Sequence, residues 1–291
     1  MHDNDSLPNS VPKPSALRVA IIRAAHQLLD KPLVFEDPLA FRILGRVEEE
    51  RLRRNSLCYN TPALLSLRAS LVVRSRLAEE EWAQAMERGV RQFVILGAGL
   101  DTYAYRHPGT DGCRIFEVDF PRTQVWKREC LCAAGIREPE WVTFVPVDFE
   151  TSSLAAKLAD AEFRLDQPAF FSWLGVTMYL DEEAFVSTLR FIGSLAPGSS
   201  LVFDYVVSPA SLTSREREGV EFVASRAAQQ GEPWKLLFEP SALTRMLQLL
   251  GFSEIHDFSP DEIQARYLAG RKDGLRKSGA SRLVSVMVSR S

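Results

Sequence analysis

Through the first 90 residues, apolar positions recur at helical spacing. "SALRVAIIRAAHQLL" predicts a helix capped by Ser15 and running to about Leu29. "KPLVFEDPLAFRILG" predicts a turn and a short helix stopped by Gly45. "TPALLSLRASLVVRSRLAEEEWAQAMERG" reads as one long amphipathic helix, with Pro62 at its start and Gly89 just past its end. From about residue 90 the pattern changes. "RQFVIL", "CRIFEV", "WVTFVPV", "AFFSWL" and "LVFDYVV" are apolar almost without interruption, and helical stretches near 122–134, 154–160 and 182–195 separate them. Continuous rather than alternating runs predict a parallel sheet covered on both faces. Residues 211–230 read as a charged helix inserted after the fifth strand, and "SALTRMLQLLGF" as a further helix ended by Gly251. "EIHDF" and "RLVSVMVS" supply two last strands, the final one antiparallel.

This pattern divides the 291 residues into a disordered tail (1–14), an N-terminal helical cap (15–89) and an α/β domain (90–291) with a helical insertion at about 208–238. Composition narrows the partners. A formal net charge of -3 offers no basic face for nucleic acid, and no apolar run approaches the length of a membrane span. The N-terminus is polar, acidic and proline-rich, unlike a targeting peptide, so a cytoplasmic location is expected. Cys58, Cys113, Cys130 and Cys132 lack metal-site spacing, and no metal is expected.

Chemistry is concentrated in "RQFVILGAGLDTYAYR", where a buried strand runs into Gly97-Ala98-Gly99. In a doubly wound sheet the ligand sits at the carboxyl ends of the strands, with an acid after the second strand holding a ribose. "FEVDF" supplies Glu117 and Asp119, and Glu117 stands 20 positions after Gly97. A dinucleotide fingerprint fits poorly. Its third glycine falls on Thr102, and Asp101 sets a carboxylate where phosphates need positive potential. A cationic sulfonium ligand such as S-adenosylmethionine meets no such objection.

"LGAGLDTYAYR", "FEVDFP", "VDFE" and "WLGVTMYL", in this order, resemble the bacterial S-adenosylmethionine-dependent O-methyltransferases of the leucine carboxyl methyltransferase family. The stretches from Ser15 to Gly45, "GEPWKLLFEPSALTRMLQLLGF" and "RYLAGRKDGLR" extend the resemblance over roughly residues 15–289. It implies a class I methyltransferase fold: a Rossmann-like seven-stranded sheet with an antiparallel last strand, helices added in front, and a helical insertion after strand 5. It also implies roles for particular residues. Gly97 and Gly99 would pass under the methionine part of the cofactor, and Asp119, with Glu117, would hold the ribose. Asp148 would accept from the adenine amino group with Phe149 beside the ring. Arg74, and more loosely Arg18, would bind the cofactor carboxylate. One position departs: the family's acid five places before Tyr179 is Leu174 here.

Other readings stand beside these. Asp101 either faces the ligand or caps the following helix. His107 and His26 are the histidines from which a general base would come, and His107 and Tyr179 are the catalytic candidates. Trp234 and Tyr267 either line the acceptor site or pack the insertion. The expected activity is O-methylation of a small-molecule carboxylate. A hydroxyl acceptor and a non-catalytic binding module are the alternatives.

Overall fold

The computed structural model describes residues 14–107 and 112–289. Most of the tail expected at 1–14 lies outside the described residues; Pro14 already begins a helix. Three helices come first: α1 (Pro14–Leu29), α2 (Ala40–Arg54) and α3 (Pro62–Glu87). Gly45 does not stop α2, as the sequence suggested. It takes φ +78°, a left-handed value that kinks the helix, and the helical chain resumes to Arg54 with Glu49–Arg53 and Glu50–Arg54 pairs one turn apart.

The seven strands are β1 (Gln92–Leu96), β2 (Arg114–Asp119), β3 (Val142–Pro146), β4 (Ala169–Trp173), β5 (Ser200–Val206), β6 (Phe252–Phe258) and β7 (Ser281–Val288). They form one sheet in the order β3-β2-β1-β4-β5-β7-β6, parallel except for β7, which runs antiparallel to both neighbours. The helices between and after them are α4 (Tyr103–Arg106), α5 (Pro121–Ala133), α6 (Leu154–Asp160), α7 (Glu182–Gly193), α8 (Ser214–Gln229), α9 (Pro240–Leu249) and α10 (Pro260–Tyr267). The insertion is α8, started by a capping box between Thr213 and Glu216. The helix expected after the glycine turn is the single turn α4, and α10 is a helix that the sequence reading left unassigned.

Because side chains alternate across a strand, Phe93 and Ile95 enter one core while Val94 and Leu96 enter the other. On the first face Trp82 of α3 stacks on Phe93 at 4.9 Å, and its indole N–H donates to the Tyr103 hydroxyl at 2.7 Å. On the second, Trp173 stacks on Phe185 of α7 at 5.4 Å. Thus α3 is one of the layers covering the sheet, whereas α1 and α2 pack chiefly on each other and on the helices beside them. Strand order reverses between β1 and β4, which leaves a crevice at their carboxyl ends.

Candidate functional site

A cavity of about 800 Å³ fills that crevice. Its floor is the set of turns leaving β1, β2, β3 and β4, which contribute Gly97 to Asp101, Asp119, Asp148 with Phe149, and Leu174 to Val176 with Met178 and Tyr179. Its roof comes from elsewhere. Arg18 of α1, Arg74 of α3 and residues 230–235 after α8 close it. The roof is latched: the Ser15 backbone N–H and hydroxyl donate to Glu232 at 2.9 and 2.7 Å, and Arg18 donates to Gln230 at 2.9 Å. The Lys235 backbone N–H donates to the Met178 carbonyl at 2.7 Å, which stitches the roof to the turn after β4.

The two glycines of the first turn do different work. Both have positive φ, +71° at Gly97 and +44° at Gly99. A Cβ at Gly97 would lie 2.2 Å from Val176 Cγ2, so the absent side chain makes room for a neighbour inside the protein. At Gly99 the nearest atom to such a Cβ is 3.7 Å away, so the backbone there is open to the cavity. The Gly99 N–H donates to one oxygen of Asp119 and the Phe120 N–H to the other, each at 2.6 Å. Those two bonds fix the carboxylate at the end of β2 while each oxygen keeps further acceptor capacity. Asp148 accepts from the Glu150 N–H at 3.1 Å, and Phe149 lies next to it on the cavity wall.

Glu117 does not reach the cavity. It is fully buried, 2.7 Å from the Lys127 ammonium, and it accepts from the Tyr105 hydroxyl at 3.2 Å. Burial pushes its carboxyl up to about 7 against the pull of Lys127. Its place is two residues short of the strand end, so the ribose role rests on Asp119 alone. His107 also lies outside the cavity lining. Its ring stacks on Tyr103 at 4.3 Å with Nδ1 3.1 Å from the Tyr103 carbonyl, and burial lowers its pKa. His26 is enclosed in the cap, where its Nε2 accepts from the Val34 and Phe35 backbone N–H groups and Nδ1 faces Asp30. Tyr267 bonds Glu80, away from the site.

Asp101 is not the cap of the following helix, since the residue at the N-cap of α4 is Thr102. Asp101 lines the cavity, accepts from the Tyr103 N–H at 2.8 Å and faces Arg23 at 3.8 Å. Tyr179 lines the cavity beside Trp234, and burial pushes its hydroxyl above the ordinary value. Arg74 is 2.8 Å from Asp204, a buried acid on β5 that sequence reasoning passed over. Its signal was available: a lone carboxylate in the apolar run "LVFDYVV" must have a partner.

These features suit an adenosine carrying an amino-acid tail. A fixed carboxylate faces the cavity at the end of β2, an acid and an aromatic ring stand at the β3 end, and an arginine of α3 lines the same space. Among the described residues no group of three or more His, Cys, Asp or Glu is arranged to hold a metal ion. No helix among them is long and apolar enough to cross a membrane.

Comparison with known proteins agrees with this outline. The family model for leucine carboxyl methyltransferase matches residues 16–193. A Bacillus subtilis protein, YktD, provisionally named an S-adenosyl-L-methionine-dependent methyltransferase, is 31% identical over 283 residues, covering 90% of this chain and 93% of that protein. A Mycobacterium marinum protein with the same provisional name is 32% identical over 76% of this chain and 71% of its own length. Among solved structures, a provisionally named methyltransferase from Thermobifida fusca superposes with a TM-score of 0.61 at 17% identity, covering 98% of each chain. A Streptomyces avermitilis protein superposes at 0.59 with 18% identity, covering 94% of this chain and 97% of that one. At these identities the structural likeness establishes the fold.

Proposed function

The chain belongs to the leucine carboxyl methyltransferase family, whose members use S-adenosylmethionine, and we propose that it methylates a carboxylate oxygen of a small molecule. One observation carries the choice of acceptor: every acid lining the cavity already has a partner in the protein, two of them are assigned to the cofactor, and no histidine lines the cavity among the described residues. Asp101, Asp119 and Asp148 accept backbone N–H groups, Glu232 holds Ser15, and Glu150 is paired with Lys235. Tyr179 is kept protonated by burial. A hydroxyl acceptor usually needs a base within hydrogen-bond reach, whereas a carboxylate arrives ionised.

S-adenosylmethionine supplies a methyl group activated on a sulfonium. The residues of this chain bind and orient. Asp119 would accept from the ribose diol, Asp148 from the adenine amino group, and Phe149 would flank the ring. Arg74, with Arg18 above it, would bind the carboxylate of the tail. Leu71, Val176, Tyr179 and Trp234 would press the acceptor against the cofactor and exclude water, so that catalysis comes mainly from orientation.

The test is the alkali lability of a product made from labelled cofactor. A methyl ester releases volatile methanol in base. Label that stays with the product identifies an ether or another acceptor atom and sinks the carboxylate reading.

A further inference from the structure

We propose that Asp204 is a positioning residue for the cofactor's amino-acid tail, acting through Arg74 and through the turn that leaves β4. The inference rests on the reading of Arg74 as the ligand of the tail carboxylate.

Every residue of β5 is buried, so a carboxylate in this strand has to be satisfied from within the protein. Asp204 is satisfied by groups that belong to the cavity. One oxygen lies 2.8 Å from Arg74 Nη1, and the other accepts the Gly175 N–H at 2.5 Å. Its main-chain carbonyl accepts from the Thr177 hydroxyl at 2.7 Å. A single residue therefore holds the turn after β4 at two points, Gly175 and Thr177. Between and beside those points stand Leu174, Val176 and Tyr179, which line the cavity.

The contact with Arg74 is equally close on the other side. Gly175 has φ +73°, and a Cβ there would fall 2.5 Å from Nη2 and 2.8 Å from Nη1 of Arg74. The guanidinium is clasped between the Gly175 backbone and the Asp204 carboxylate. Within the described residues Asp204 engages Nη1 alone, leaving Nη2 and Nε for a ligand. An arginine held at one corner loses less freedom on binding than one that searches for its ligand.

The arrangement also sets the charge that a ligand meets. Arg74 enters the cavity already partnered by an anion, so this end presents a balanced pair instead of a bare cation. A zwitterionic tail matches such a pair. Replacing Asp204 by a neutral residue thus removes the counter-charge of Arg74.

The experiment compares two ligands on each protein sample, so that a partly unfolded preparation cannot mimic the result. S-adenosylhomocysteine carries the tail; 5′-methylthioadenosine lacks it. For Asp204→Asn, affinity for S-adenosylhomocysteine should fall about tenfold or more, the scale of one charge-assisted bond, with 5′-methylthioadenosine changed by less than about twofold. Arg74→Ala should show the same selectivity, and the double variant should be no weaker than Arg74→Ala alone. Equal loss for both ligands with Asp204→Asn would reduce Asp204 to a structural brace and overturn the proposal. So would independent, additive losses in the double variant. If Arg74→Ala itself fails to separate the two ligands, the assignment of Arg74 falls and takes the proposal with it. If only Asp204→Asn fails to separate them, the assignment stands and the proposal falls.

Discussion

Replacing Gly97 by alanine tests whether this glycine serves packing or the ligand. The new Cβ would be placed 2.2 Å from Val176 Cγ2, far inside contact distance, at a residue with φ +71°. The left-handed backbone costs a residue with a Cβ about 1–2 kcal/mol. Forcing a methyl into occupied space adds about 1–3 kcal/mol, and Val176 is β-branched, so it cannot swing clear without changing its one staggered rotamer. Gly97 cannot move away either, because its N–H donates to the Val118 carbonyl at 2.8 Å. The expected loss is about 2–5 kcal/mol in denaturant unfolding. Val176→Ala removes the colliding methyl but leaves the backbone strain. The double variant should therefore be more stable than the two single losses predict, by about 1–3 kcal/mol. Additivity within about 0.5 kcal/mol would refute the steric account and return Gly97 to a role under the ligand.

The remaining predictions concern the charges. Asp119→Ala should weaken adenosine and S-adenosylhomocysteine alike by about tenfold, since both carry the ribose; calorimetric titration that shows loss for only one of them contradicts the ribose assignment. Glu117→Gln keeps a neutral side chain of the same shape beside Lys127 and should leave cofactor affinity unchanged in folded protein, checked by calorimetric titration with S-adenosylhomocysteine. Burial pushes the Glu117 carboxyl up to about 7 from the ordinary 4.5, so the native state holds this proton more readily than the unfolded chain. Its stabilising contribution is full below pH 4.5 and is lost as the pH rises through 7; denaturant titrations of the Glu117→Gln protein should lack that decline.

What the sequence revealed and what it concealed follow from the range of the forces involved. The strands were legible because burial on both faces leaves long apolar runs, and Gln92–Leu96 is buried at all five positions. Asp119 was legible by type but not separable from Glu117. The two share a face of β2, yet one lies about 7 Å further back along a strand that rises ~3.3 Å per residue, and there it meets Lys127 instead of the cavity. His107 followed the glycine turn closely in sequence, but the four residues of α4 carry it onto Tyr103. Gly45 was read as a stop because glycine after an apolar period usually is one. The Glu49–Arg53 and Glu50–Arg54 spacing beyond it marks a resumed helix and was in the sequence, but the reading weighed the glycine above it. Asp204 announced itself as an anomaly, but its partners are 130 and 29 positions away.

The change of pattern near residue 90 is a change of element type, and it does not separate two units that share only a surface. Asp37, fully buried in the cap, lies 2.9 Å from Arg23 and 3.5 Å from Arg106, and accepts from the Thr102 hydroxyl at 2.8 Å. Arg23 also donates to the carbonyl of Leu100 in the glycine turn. The acid thus joins α1, the connection before α2, and both ends of the stretch 100–106. Removing one member of such a set leaves the others charged in a dry interior, which costs about 3–5 kcal/mol. A chain begun at residue 90 would lose Asp37 and Arg23 together, and with them the partners of Thr102 and Leu100, beside the backbone that Asp119 grips at Gly99. The shape of the turn that faces the cavity is therefore set partly by residues more than 60 positions before it, and the roof that carries Arg18 is fastened to the floor it covers.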